Sequence, residues 1–110
     1  MTIKSYQDLV VWQKAMDLAV EVYKVSSEFP NEEKFGLTSQ VRRSSVSIAA
    51  NIAEGCGRES EKEFKRFLVI ANGSATELEY FLILVKDLKL ADEKAIETLI
   101  DKVDKLKRSL

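Results

Sequence analysis

Residues 60–88, SEKEFKRFLVIANGSATELEYFLILVKDL, decide the class of fold. Phe64, Leu68, Ala71, Ala75, Leu78, Leu82 and Val85 recur at alternating spacings of four and three, which places one continuous apolar stripe along an α-helix. Ser60 with Glu63 three residues later reads as a capping box, so the stretch predicts a helix over 61–88, roughly 40 Å long at 1.5 Å per residue. A second row beside the first, Phe67, Ile70, Ser74, Glu77, Phe81, Leu84 and Leu88, is apolar except at Ser74 and Glu77. That polar interruption calls for a partner on another helix.

On the C-terminal side, residues 89–92 form a short turn with Asp92 as a cap, and a helix over 92–108 follows. Ile96, Leu99, Val103, Leu106 and Leu110 make one narrow stripe in it, with charges almost everywhere else. Upstream, a helix over 34–54 shows Leu37, Val41, Ile48 and Ile52 on one face and Val46, Ala49, Ala50 and Ala53 on a small-residue face. Gly55 is expected to stop it in a left-handed conformation. A helix over 6–29 starts after the capping Ser5 and ends at Pro30. It carries two stripes: Val11, Ala15, Leu18, Val22, Val25 and Phe29, and beside them Leu9, Trp12, Met16, Ala19 and Tyr23. Glycine at 73, inside the longest helix, costs about 1 kcal/mol relative to alanine. Close approach to the small-residue face of the second helix would explain it.

Four glycines, one proline and 45% hydrophobic residues in 110 fit a single all-α domain with a real core. Residues 1–110 are expected to form one antiparallel up-down-up-down four-helix bundle, because the connections are short. The first and third helices have wider apolar faces than one core requires, so the bundle is expected to be homo-oligomeric.

The absence of histidine excludes Ser-His-Asp and Cys-His catalysis and the usual zinc sites, and no enzyme, cofactor or metal is expected. No apolar run approaches the ~18 residues of a membrane span, and the N-terminal Met-Thr-Ile-Lys does not begin a leader segment. With a lone Cys56, this points to a cytoplasmic protein without a membrane partner. Charge is uneven: residues 1–33 carry three basic and six acidic side chains, residues 34–58 four and one, residues 59–110 ten and eleven.

The basic segment holds the candidate site. Arg43, Ser47, Asn51 and Glu54 line up at helical spacing, with Arg58 just beyond. One reading buries this ridge between helices or subunits, with Arg42 or Arg43 paired to Glu54 or to Glu77 and so filling the gap at Ser74 and Glu77. A second makes Arg42, Arg43 and Arg58, multiplied by oligomer symmetry, a surface for nucleic-acid phosphates. A third pairs Glu54 with Glu77 as acid and base, or uses the Cys56 thiol, but neither has the partner its chemistry needs. The Gly55-Cys56-Gly57-Arg58 loop lacks the lysine and spacing of a P-loop.

The combination of Leu9-Val-Val-Trp-Gln-Lys-Ala15, Phe29-Pro30, Phe35-Gly-Leu37, Gln40-Val-Arg-Arg43, Ser47-Ile48, Asn51-Ile-Ala-Glu-Gly55 with Arg58, and Gly73-Ser74 with Glu77-Leu78 resembles the 23S ribosomal RNA intervening-sequence family. Ser44 stands where that family commonly has alanine, Ala49 where proline is common, and Cys56 where an aromatic residue is usual. The resemblance implies a four-helix bundle forming a homopentamer without known enzymatic activity. A similar fold, the accessory variability determinant of diversity-generating retroelements, binds nucleic acid and a reverse transcriptase. By that analogy Arg42, Arg43 and Arg58 would face nucleic acid or a ribonucleoprotein partner.

Overall fold

The computed structural model describes residues 5–110; the N-terminal tetrapeptide, read above for the absence of a leader, lies outside them. The chain forms four α-helices, α1 (Val10–Ser26), α2 (Leu37–Cys56), α3 (Glu61–Asp87) and α4 (Glu93–Ser109), with 3-10 turns at Tyr6–Asp8 and Asn31–Glu33. Among the described residues there is no strand. α1 packs against α2 and α4, and α3 packs against the same two helices, most extensively against α2.

The stripes meet in one core. Ala15, Leu18 and Val22 from α1, Val41, Ile48 and Ile52 from α2, and Ala71, Ala75, Leu78, Leu82 and Val85 from α3 are buried together. Ile96, Leu99, Val103 and Leu106 close it from α4. Burial of such aliphatic side chains stabilises by about 1.5–3 kcal/mol each, which holds α4 in place although its other faces are charged.

The helix ends differ from the sequence reading in instructive ways. Ser5 caps the 3-10 turn instead of α1: its hydroxyl accepts from the Gln7 amide at 3.2 Å, and Leu9 is extended. The turn folds back so that Tyr6 meets Trp12 edge to face, with centroids 5.1 Å apart. α1 stops at Ser26, ahead of Pro30, because Ser26 and Ser27 turn their hydroxyls onto the carbonyls of Tyr23 and Lys24. Phe29 then tucks into the core. α2 begins at Leu37, three residues later than expected, where the Glu33 carboxylate accepts from the Leu37 amide at 3.2 Å.

At its other end α2 runs through Gly55 to Cys56, and Gly57 is the cap. No glycine among the described residues has a positive φ. Gly55 is required for closeness: a Cβ there would lie 2.8 Å from the Phe67 Cβ and 3.0 Å from the Phe64 Cδ1. The left-handed residue belongs to the α3–α4 turn instead, at Lys89 with φ 57°. Its amide and that of Leu90 donate to the carbonyls of Lys86 and Val85, the paired bonds of a Schellman cap. Ser60 and Asp92 cap α3 and α4 as expected, accepting from the Glu63 and Ala95 amides.

By length and composition α3 is apolar enough to cross a membrane, contrary to the expectation drawn from uninterrupted runs. The residues from Asn72 to Ser74, with Glu77 and Glu79, break the run without lowering its average enough.

Candidate interface on α2 and α3

The expected polar gap in α3 is filled, but by hydroxyls. Ser44 Oγ lies 2.9 Å from Glu77 Oε1 and 2.8 Å from the Gln40 carbonyl, and its single proton serves one of them at a time. One turn further along, Ser47 Oγ and Ser74 Oγ are 2.8 Å apart. Asn51 Nδ2 donates to both the carbonyl and the hydroxyl of Ser47, at 2.8 and 3.0 Å, which leaves the Ser47 proton for Ser74. Ser44 is buried, Ser47, Asn51 and Ser74 are half-buried, and Glu77 is exposed.

The arginines go elsewhere. Arg42 reaches α1, where its Nε donates to the buried Ser26 Oγ at 2.8 Å and its guanidinium stacks 4.7 Å from the Tyr23 ring centroid. Arg58 pairs with Glu54 one turn back at 2.6 Å, both side chains about half exposed. Arg43 is exposed and makes no hydrogen bond or ion pair among the described residues. Within one chain the expected pairing of Arg42 or Arg43 with Glu54 or Glu77 is therefore absent among the described residues. The ridge of Arg43, Ser47, Asn51 and Glu54 divides into a half-buried middle and two exposed charged ends. The reason is rotational: each residue advances about 100° around a helix, so neighbours in sequence point to different partners.

Arg58 also lies 4.9 Å from the Phe67 ring centroid and Arg66 lies 4.7 Å from it. The hydrogen bond from Arg66 to Glu63 holds the Glu63 carboxyl below the usual carboxylate range. Cys56, half-buried behind Gly55, has its thiol pKa pushed up by burial, the opposite of an activated nucleophile. The catalytic pair fares no better: Glu54 is held by Arg58, and Glu77 by Ser44.

Gly73 does not touch α2. A Cβ built on it meets nothing within 4 Å, because the residue lies on the outer side of α3. Val69, Ile70, Tyr80 and Ile83 are exposed on the same helix, as are Met16, Val20 and Tyr23 on α1 and Val46 on α2. The aromatic Phe35, in the turn before α2, is 91% exposed. Between α1 and α4 lies a groove of about 560 Å³ with Leu18 and Leu106 in its floor and lysines and acids around it. Lys102 and Glu21 form an ion pair across it.

Two residues of this network were not placed in the candidate site by the sequence: Ser44, noted only as a departure from the family pattern, and Ser26. Ser44 had a readable signal, since 44, 47 and 51 repeat the three-four spacing of a helix face. Ser26 had none, because its partner lies sixteen residues away.

Comparisons with known proteins agree with this architecture. A solved structure titled a protein with unknown function from the S23 ribosomal protein family, from Bacteroides thetaiotaomicron VPI-5482, superposes with a TM-score of 0.84 at 30% identity. The match covers 91% of this chain and 94% of that one. A search of curated proteins returns no match. Residues 7–110 match the profile of the family described as 23S rRNA-intervening sequence protein, and the chain belongs to that family.

Proposed function

We propose that this protein is a non-catalytic, homo-oligomeric four-helix bundle that serves as a scaffold or partner-binding module in the cytoplasm. The observation that carries the reading is the outer face of α3, where Val69, Ile70, Tyr80 and Ile83 stand exposed while the core is already complete. A covering copy removes that surface from water at about 25 cal/mol per Å². Lipid is the poorer cover, because the exposed Glu77 sits mid-helix, where a charged side chain costs about 2.5–3.5 kcal/mol. α4 has the opposite character: Lys105–Asp101 and Arg108–Asp104 pairs cover its outside, which suits a surface left in water.

The up-down-up-down order is part of this reading. It is supported by partner numbers that fall as others rise: Ser44 with Glu77 and Ser47 with Ser74, then Glu79 with Lys107 and Lys86 with Glu97. The family resemblance adds a copy number of five. Light scattering at micromolar concentration tests the reading. Mass several times 12.5 kDa is expected, and a monomer would overturn it.

A second reading, binding of RNA or DNA, draws on the family's name and on one observation, the exposed guanidinium of Arg43, which has no partner among the described residues. Arg42 and Arg58 are already occupied, so Arg43→Ala should reduce both the affinity and its salt dependence more than Arg42→Ala does. Equal affinity in Arg43→Ala and the parent protein would remove this reading.

A further inference from the structure

Arg43 and Glu77 are what the seam between α2 and α3 leaves over. Arg43 has no partner among the described residues. Glu77 is exposed, and only its Oε1 is engaged, by Ser44. Because Ser44 follows Arg43 in the chain, the cation and the carboxylate stand at nearly one height along the bundle. Their surroundings are unlike those of a solvated charge pair. Val46 and Ala50 follow Arg43 on α2, and Ile70, Gly73 and Tyr80 flank Glu77 on α3, all of them exposed. A charge at the edge of apolar ground interacts more strongly once a partner excludes water from it.

We propose that a second copy of this chain covers the outer side of the seam, with Arg43 of each copy paired to Glu77 of the next. The proposal rests on the assembly reading above and identifies the contact that sets its orientation. Charge complementarity identifies the occupant. A face of one sign would need a foreign partner of the other sign, whereas a face carrying both signs at one height complements itself. Rotation about an axis parallel to the helices leaves heights unchanged, so copies related by such an axis carry Arg43 and Glu77 at matching levels. Gly73, one turn before Glu77 and with no side chain, leaves room for the neighbouring helix or the Arg43 stem to approach α3 closely.

The test uses the full chain, with Arg43→Glu and Glu77→Arg made separately. Both positions are exposed, so the variants should keep their helicity by circular dichroism, and a double Arg43→Glu/Glu77→Arg protein provides a folded control. Each single variant should associate at least roughly tenfold more weakly than the parent in sedimentation or light scattering. Mixing the two single variants should recover most of the association, since every contact between unlike copies joins opposite charges and a ring of five keeps as few as one like-charged contact, while the double variant should assemble as the parent does. A pair formed within one copy would not respond to mixing. Parent protein that assembles while the single variants assemble equally well, or fail to recover on mixing, overturns the pairing and leaves the assembly reading standing. Parent protein that stays monomeric overturns both and assigns the face to a different partner.

Discussion

Gly55→Ala tests the tightest contact in the fold. In a helix interior alanine is normally favoured over glycine by about 1 kcal/mol, and the Gly55 backbone is helical, so propensity alone predicts stabilisation. The structure predicts the reverse. The added methyl would sit 2.8 Å from the Phe67 Cβ and 3.0 Å from the Phe64 Cδ1, against an ordinary carbon contact of about 3.5–4.0 Å. The Phe64 ring can rotate, but the Phe67 Cβ is bonded to the main chain, so the start of α3 itself must move. Overpacking of this kind costs about 1–3 kcal/mol. With one immovable neighbour the cost belongs at the upper end, and after the propensity gain the net loss is about 2 kcal/mol. At about 4 °C per kcal/mol for a domain of this size, the melting midpoint falls by about 8 °C. Thermal and urea melts of the parent and Gly55→Ala proteins, run at the same protein concentration, give the comparison. A midpoint that is unchanged or higher would refute the close-approach explanation. Gly73→Ala is the control, because a Cβ there meets nothing within 4 Å; in the dissociated chain it should stabilise by about 1 kcal/mol.

Other perturbations probe single features. Lys89→Gly relieves the left-handed backbone at the end of α3 and should raise stability by about 1 kcal/mol in a urea melt, since glycine adopts that conformation without steric cost. Arg42→Ala removes the bond to buried Ser26 and the stacking on Tyr23, and should lower stability by about 1–2 kcal/mol, with Arg42→Lys recovering only part. The rate of Cys56 alkylation, followed against pH, should show a midpoint above that of a cysteine peptide, because burial raises the thiol pKa. Glu63 has its pKa lowered, so the stabilisation it provides is present above the ordinary glutamate range of about 4.3 and is lost as pH falls below it. Acid titrations of Glu63→Gln should lack that component.

Helix number and core were legible in the sequence because three-four spacing maps directly onto one face: Leu78, Leu82, Leu99 and Val103 are buried where their stripes placed them. The ends of α1 and α2 were less legible, since Ser5 caps a 3-10 turn and the cap of α2 comes from Glu33, four residues away. Side-chain pairing in the candidate interface was the least legible part. Whether Arg42 or Arg43 faces another helix depends on the rotation of α2, and that rotation is set by the apolar residues of all four helices together. Gly55 and Gly73 show the same limit. Sequence marked Gly73 as unusual and read Gly55 as an ordinary helix stop, but which one lies against a neighbour is decided only by the way α3 packs.

The seam of serines has a consequence for how the chain finds its fold. Aliphatic ridges fit their grooves at intervals, so α2 sliding along α3 by one turn, about 5.4 Å, would still bury oil against oil. Hydroxyl partners do not repeat in that way. After such a slip Ser47 would lose Ser74 and the buried Ser44 would lose Glu77, and each would keep only its bond within α2, from Asn51 and to the Gln40 carbonyl. The three serines therefore act as a vernier between the two longest helices, selecting one alignment among several that greasy packing alone would tolerate.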